Sequence, residues 1–587
     1  MSKVKENSLK VIIRFLVWMS SSVVIFILLL LLIVACQPTQ QHAQKGPIEN
    51  DEDFEVVPAP STQQEDYTDP NEPPADLDFE MDIEIEEETQ IEEMVFEGAP
   101  QEEHIFLHVE PETKIQEFNT EEYDRIYENE FQQVWQQPIS TFSIDVDQAS
   151  YSNTRRFITQ FHQLPPKDVV RIEEMINYFQ YDYPQPEGEH PFSIYTELGS
   201  CPWNVENQLL HIGIQGKTLD YENLKPSNLV LLLDVSGSMD EPNKLPLVKR
   251  SLHLLLDALG VQDKISIVVY AGASGLVLPA TPAYQKDKIL KAIDHLEAGG
   301  STAGGEGIAL AYHIAEKNLI PKGNNRVILA TDGDFNVGTS STSELVRMIE
   351  KKRKSGIYLT ICGFGMGNYK DGRMEQISNA GNGNYFYIDN IKEAQKVFVR
   401  EMRANLFTIA KDVKIQLEFN PTQVKAYRLI GYENRSLARE DFDNDLKDAG
   451  ELGAGHTVTA LYEIVPASLD EKATVDASLR YQQSQTTTLA NSKELLSFKL
   501  RYKPIDSDKS QLITQLVIQE QYPGVPSYNF RFANAVAGFG MLLRDSQYKG
   551  SLTYDEVIQM VEGTMHSKDE EKREFVQLVK AASLLDQ

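Results

Sequence analysis

Six consecutive residues, Asn228-Leu229-Val230-Leu231-Leu232-Leu233, close on an acidic one, Asp234. A short, mostly apolar run of this kind fits a strand buried on both faces, and such strands belong to parallel sheets. The chain repeats the pattern at Ile265–Ala271, Val327–Thr331, Ile357–Phe364 and Tyr385–Ile388. Helical stretches separate the strands: Leu245–Leu259, Lys286–Leu296, Gly304–Asn318, Ser343–Ser355, Asp371–Ala380 and Ile391–Ala404. Strands alternating with helices predict a doubly wound, mostly parallel α/β domain over 226–408. In such a sheet ligands bind outside the carboxyl ends of the strands.

Three polar motifs are expected at that edge. The first strand ends Asp234-Val235-Ser236-Gly237-Ser238-Met239, and the helix from Gly304 is preceded by Gly299-Gly300-Ser301-Thr302-Ala303. A later strand ends Thr331-Asp332-Gly333-Asp334-Phe335-Asn336. Two carboxylates, two serine hydroxyls and a threonine hydroxyl then converge. These are hard oxygen donors, suited to magnesium, calcium or manganese. So few charged ligands keep water positions open, and an incoming carboxylate can fill one.

These residues resemble the metal-ion-dependent adhesion site of von Willebrand factor type A (VWA) domains. That pattern is Asp-x-Ser-x-Ser, then a distant Thr and a distant Asp, and its counterparts are Asp234, Ser236, Ser238, Thr302 and Asp332. The resemblance implies a divalent cation, Mg2+ foremost, with Ca2+ or Mn2+ as alternatives. It implies that the hydroxyls touch the ion directly and the aspartates act largely through water. An acidic residue of a protein partner would complete the ion's shell.

The likeness continues outside this domain. Ser140–Asp147, Leu164–Tyr183, Tyr427–Asn434, Asp448–Glu451 and Ala454–Ala460 resemble exported bacterial VWA proteins of the YfbK-like group, as do Gly299–Ala311 and Thr331–Gly338. The likeness spans about Gln137–Gln587 and brings no assigned activity. It matches the predicted flanks: a small α+β segment at 121–225, a β-rich segment at 409–510 and a helical segment at 511–587. In the first flank, strands are predicted at Ser140–Asp147, Phe192–Leu198 and Gln208–Gln215, and helices at Asp147–Phe161 and Val169–Phe179. Strands in the second, at Asp412–Phe419, Val424–Leu429, His456–Ile464 and Leu496–Tyr502, are expected to pack with those before Val230. Helices are expected at Tyr528–Leu543, Thr553–Thr564 and Asp569–Leu585. Asp145 and Asp147 read as capping or turn residues and are left out of the metal site.

The amino terminus reads as a targeting segment. Lys3, Lys5, Lys10 and Arg14 precede an uncharged, mostly apolar run from Phe15 to Ala35, which ends Ile33-Val34-Ala35-Cys36. This resembles the lipobox of bacterial lipoproteins, which implies removal of 1–35 and lipidation of Cys36. The competing reading is a membrane-spanning helix that stays, since the run is long enough to cross a bilayer. Either reading leaves the bulk of the chain exported and tethered to a membrane of the bacterial cell envelope. Residues 36–120 read as an acidic disordered tether, with 21 Asp and Glu and no Lys or Arg between Asp51 and Glu103.

The net charge of -33 argues against a nucleic-acid partner, which needs a basic face. Three cysteines, Cys36, Cys201 and Cys362, are too few for a disulfide scaffold. Enzymatic chemistry finds little support: there is no Gly-x-Ser-x-Gly elbow and no P-loop lysine. His253 and His313 fall within predicted helices, and Ser236 and Ser238 have no recognisable neighbouring histidine. The expectation is a non-enzymatic binding module. A metal-dependent hydrolase using the same cluster and a purely structural envelope protein are the alternatives.

Overall fold

The computed structural model describes residues 121–587 apart from 221–223, 301–303, 334–341, 368, 468–485, 520–523 and 563–568. The signal segment, Cys36 and the acidic tether lie outside the described residues. The described strands are β1 (Gln132–Gln133), β2 (Ile139–Ser143), β3 (Phe192–Ser200) and β4 (Gln208–Gly216), followed by six in the central domain. Those six are β5 (Ser227–Asp234), β6 (Lys264–Tyr270), β7 (Ser274–Pro282), β8 (Asn324–Thr331), β9 (Ile357–Gly363) and β10 (Tyr385–Tyr387). Then come β11 (Thr408–Phe419), β12 (Val424–Ile430), β13 (Gly450–Gly453), β14 (Thr457–Pro466), β15 (Glu494–Pro504) and β16 (Gln511–Ile518).

The central sheet has the order β10-β9-β8-β5-β6-β7. Its neighbours are parallel except β6 and β7. β5 is buried at every position because helices cover both faces of the sheet. Leu229, Leu231 and Leu233 meet Leu247, Val248 and Ile289 on one side. Val230 and Leu232 meet Ile308 and Ala311 on the other. This two-sided burial is why the run shows no alternation, and each such leucine contributes roughly 1.5–3 kcal/mol of transfer free energy. The domain is the expected mixed α/β fold with a mostly parallel sheet.

Two details depart from the expected elements. β7 is an antiparallel edge strand that contains Pro279, and an edge strand tolerates proline because only one of its sides is paired. The predicted helix Ile391–Ala404 divides into Ile391–Gln395, a π turn over Lys396–Arg400 and a helix over Met402–Leu406. The wider turn bonds Glu401 N–H to the Lys396 carbonyl and brings the two buried side chains into an ion pair at 2.7 Å.

The flanking segments build a β-sandwich together. One antiparallel sheet runs β1-β12-β14-β4-β3, and the other runs β13-β11-β15-β16 with β2 also on β11. β4 pairs with β14 from Gln208 opposite Ile464 to Gln215 opposite Thr457. β2 pairs with β11 from Ser143 opposite Lys414 to Ile139 opposite Glu418. The expected packing of the carboxy-terminal strands with those before Val230 is thus realised as shared sheets. Phe142, Ile212, Ile415, Leu429, Tyr462 and Phe498 fill the space between them. β13 and β16 are additions to the expected strands.

The helices Tyr528–Arg544, Tyr554–Glu562 and Glu570–Leu585 pack with Ala149–Thr159 and Ile172–Asn177. Phe179, Phe532 and Phe575 interlock there at right-angled ring contacts, over Leu209, Ile430 and Leu461 of the first sheet. Cys201 lies in this helical core and Cys362 in a core of the central domain; both are free and buried. Among the described residues no helix is long and apolar enough to cross a membrane.

Candidate metal centre at the sheet switch point

β5 is followed on one side by β6 and β7, and the chain then returns to lay β8 on its other side. Such a reversal opens a crevice between the carboxyl ends of the two central strands. Asp234 ends β5 and Asp332 follows β8, so two carboxylates flank that crevice. Both are buried, with 0% exposure.

Asp234 is held from three directions. Its Oδ1 accepts the Ser236 N–H at 2.9 Å, and its Oδ2 accepts the Tyr270 hydroxyl at 3.1 Å and the Thr331 hydroxyl at 3.3 Å. Burial pushes its carboxyl up to about 6, against the hydrogen bonds from Ser236, and the negative charge of Asp332 adds to the rise. The turn that follows carries Ser236, buried, and Ser238, exposed, with their hydroxyl oxygens 3.1 Å apart. Met239 anchors the turn in the core below.

The glycine loop is tied to this turn by backbone bonds. Gly299 N–H donates to Val235 O at 2.7 Å, and Gly237 N–H donates to Gly300 O at 3.0 Å. Gly300 adopts φ +86°, which glycine takes without strain. Thr302, two residues on, lies outside the described residues. On the opposite wall Gly333, at φ +97°, leaves no room for a Cβ, which would come within 2.7 Å of Tyr369 Cα. The Asp332 carboxylate faces the ammonium of Lys244, with Nζ 3.3 Å from Oδ2.

Of the five predicted metal ligands, Asp234, Ser236, Ser238 and Asp332 thus gather at one edge of the sheet. Three further polar residues around them were not anticipated. Tyr270 could have been found from pairing, since it stands opposite Asp234 in the parallel β5–β6 register. Thr331 directly precedes Asp332. Lys244 has no local signal. The oxygen donors, two carboxylates and two hydroxyls, are of the hard kind that a divalent ion takes; the ammonium beside Asp332 opposes such an ion rather than holding it.

A second group of carboxylates lies where the central domain meets the sandwich. Carboxylate oxygens of Asp145, Asp147, Glu174 and Glu375 come within 4.8 Å of one another, all buried. Arginines occupy this group. Arg435 donates to Asp145 at 2.9 Å, to Asp147 at 3.0 Å and to Glu375 at 3.4 Å. Arg171 pairs with Glu174 and with Asp371. The turn role read from the sequence holds for Asp145, which accepts the Asp147 N–H at 2.9 Å; Asp147 instead accepts the N–H of the distant Tyr385 at 2.7 Å. Burial raises the carboxyls of Asp147, Glu174 and Glu375 above their ordinary range, against the lowering charges of Arg171 and Arg435.

A cleft of about 770 Å3 opens at the far end of the central sheet, lined by Lys225, Asn324, Leu406, Thr408, Asp412 and Lys503. It is separate from the carboxylates of the rim.

Three segments of the chain match known families. Residues 228–400 match the von Willebrand factor type A domain, and residues 117–211 match a family described as von Willebrand factor. Residues 404–585 match one described as "Uncharacterized protein YfbK, C-terminal". The protein YfbK of Escherichia coli (strain K12) is 42% identical over 484 residues, covering 80% of this chain and 82% of that protein. The protein sll0103 of Synechocystis sp. is 30% identical over 190 residues, or 32% of this chain and 44% of that protein. Among solved structures, a von Willebrand factor type A protein from Catenulispora acidiphila aligns with 68% of this chain and 91% of its own, at 15% identity and a TM-score of 0.40. The ArnB paralog VWA2 from Sulfolobus acidocaldarius aligns with 68% and 98%, at 13% identity and a TM-score of 0.35. With two matched segments flanking a central VWA domain, and with a relative similar along four fifths of its length, this chain belongs to the YfbK family of VWA-domain proteins.

Proposed function

We propose that this protein is a membrane-anchored, exported binding module whose VWA domain takes an acidic group of a protein partner through a divalent cation. Asp234, Ser236, Ser238, Thr302 and Asp332 would hold the ion, with Mg2+ foremost and Ca2+ or Mn2+ as alternatives. The ion, when bound, supplies an open coordination position for an incoming carboxylate. Cys36 would carry the lipid that fixes the chain to the bacterial envelope, facing the periplasm or the surface. Nucleic acid is not a partner on this reading.

One observation carries it. Two fully buried carboxylates flank the switch-point crevice, and an exposed serine hydroxyl stands beside them at its mouth. Buried carboxylates are costly without compensating charge, and a dication is a compensation that two aspartates and a row of hydroxyls can hold. A binding role is favoured over catalysis because the Ser236 and Ser238 hydroxyls bond to each other, an arrangement that does not activate a nucleophile.

The test is calorimetric titration of Mg2+ and Mn2+ into the wild-type protein and Asp234→Ala. The expected result is saturable binding by the wild type and at least a hundredfold weaker binding by the variant. Equal titrations for the two proteins would remove the reading. Crosslinking and capture from envelope extracts, with and without a chelator, then identifies the partner as the species lost when the ion is removed.

A further inference from the structure

The loop between Ser238 and the helix Leu245–Ala258 carries one lysine, Lys244, and the fold turns it inward. Its side chain is 5% exposed, and a lysine is seldom buried so deeply without a partner. Its ammonium lies 3.3 Å from Asp332 Oδ2 and 3.4 Å from Glu241 Oε1. Glu241 is 43% exposed, so solvent screens that pair, whereas the Asp332 carboxylate is fully buried and feels the ammonium at low dielectric.

The space for this lysine is built by a strand two places away in the sheet. Gly365, two residues past the end of β9, adopts φ +74°, and a Cβ there would come within 2.5 Å of Lys244 Cγ and Cε. The turn itself is fixed by the Lys244 N–H, which donates to the Glu241 carbonyl at 2.9 Å. A glycine seat, a backbone turn and a buried carboxylate therefore deliver one positive charge to the metal-binding rim.

We infer that Lys244 is a resident cation that sets how tightly the rim binds a divalent ion. The inference rests on the reading of Asp234 and Asp332 as metal ligands, and goes beyond it by assigning a residue outside the motif. An ion held by Asp332, directly or through water, shares that carboxylate with the ammonium. Like charges repel, and the repulsion grows with the charge of the ion. Lys244 thus keeps Asp332 paired when the ion is absent and weakens the ion's hold when it is present. The same excess of positive charge favours an anion at the open position, so the ion and the partner's acidic group bind with positive coupling.

The test compares wild type, Lys244→Met and Lys244→Arg by calorimetric titration with Mn2+ and Mg2+, with Asp234→Ala as the reference for loss of the centre. Methionine keeps most of the aliphatic stem that packs on Gly365. The expected result is binding at least tenfold tighter in Lys244→Met and unchanged in Lys244→Arg. Unchanged or weaker binding by Lys244→Met, with wild type still binding and Asp234→Ala not, overturns the role of Lys244 alone. No binding by wild type or any variant removes the metal centre and this inference together. Thermal unfolding supplies a second readout that does not depend on partner capture. Lys244→Met should melt lower than wild type without the ion and gain more from saturating Mg2+, because the ion then binds without the opposing ammonium. A smaller gain than in wild type overturns the proposal.

Discussion

Two groups of buried carboxylates in this molecule are compensated in different ways. At the rim of the central sheet Asp234 and Asp332 face two serine hydroxyls and a single ammonium, and one of those hydroxyls reaches solvent. At the joint with the sandwich Asp145, Asp147, Glu174 and Glu375 face the guanidinium groups of Arg171 and Arg435. The joint has more carboxylates, yet arginines already compensate them. Rigid N–H forks already fill its oxygens, and its strands and helices come from three segments that the pairing locks together. The rim has fewer charges and more hydroxyls. Acid count alone is no guide to an ion site where guanidinium groups already neutralise the acids.

The largest effect that distinguishes the two regions should come from Arg435→Met. It leaves Asp145 and Asp147 without their guanidinium partner, and breaking a buried pair in this way typically costs about 3–5 kcal/mol. Urea unfolding in the presence and absence of Mg2+ measures it, and the loss should be the same in both. Rescue of the variant by Mg2+ would mean that the joint also takes an ion and would break the comparison.

A smaller effect is expected from pH. Burial raises Asp234 to about 6 in the folded chain, above its unfolded value, so folding favours the protonated form. The associated stability is fully present below about pH 4 and is lost as pH rises through 6, on the order of 3 kcal/mol for a shift of about two units. Chemical denaturation of ion-free protein between pH 4 and 7 should show this slope, and Asp234→Asn should flatten it. Cation affinity should move the opposite way and weaken below pH 6, because a protonated carboxyl is a poor ligand. A slope that persists in Asp234→Asn would assign it to other groups.

The smallest effect should come from Ser238→Ala. The hydroxyl is exposed, so stability should stay within about 0.5 kcal/mol of wild type. Mn2+ affinity should fall by about tenfold, the lower end for loss of a group that orients or supports a bound metal. An unchanged titration would take Ser238 out of the ligand set and sharpen the proposed centre to Asp234, Ser236, Thr302 and Asp332.

The contrast also marks what the sequence made readable. The apolar run Leu229–Leu233 was legible because burial on both faces leaves no polar position within it. Asp234, Ser236, Ser238 and Asp332 were legible because each stands at or just past a strand end, where local order alone predicts a shared edge. Lys244 was not, since its direction depends on Gly365 and Asp332, which no local pattern places beside it. β7 was hidden by Pro279, which reads as a strand breaker until the strand is seen at an edge. Asp145 was readable as a turn residue, but neither it nor Asp147 as part of a joint, because the arginine that clamps them lies 290 positions beyond Asp145.

The shared sheets have a consequence for the order in which the protein can fold as its chain emerges from the amino terminus. β4 emerges long before its partner: Gln208 pairs with Ile464, and every rung of that ladder waits for the whole central domain to follow. The central domain needs nothing later than its own residues to complete its sheet, and once formed it holds its two ends at a fixed separation. A long, floppy closure thereby becomes a short one, which lowers the entropy lost when the sandwich finally zips shut.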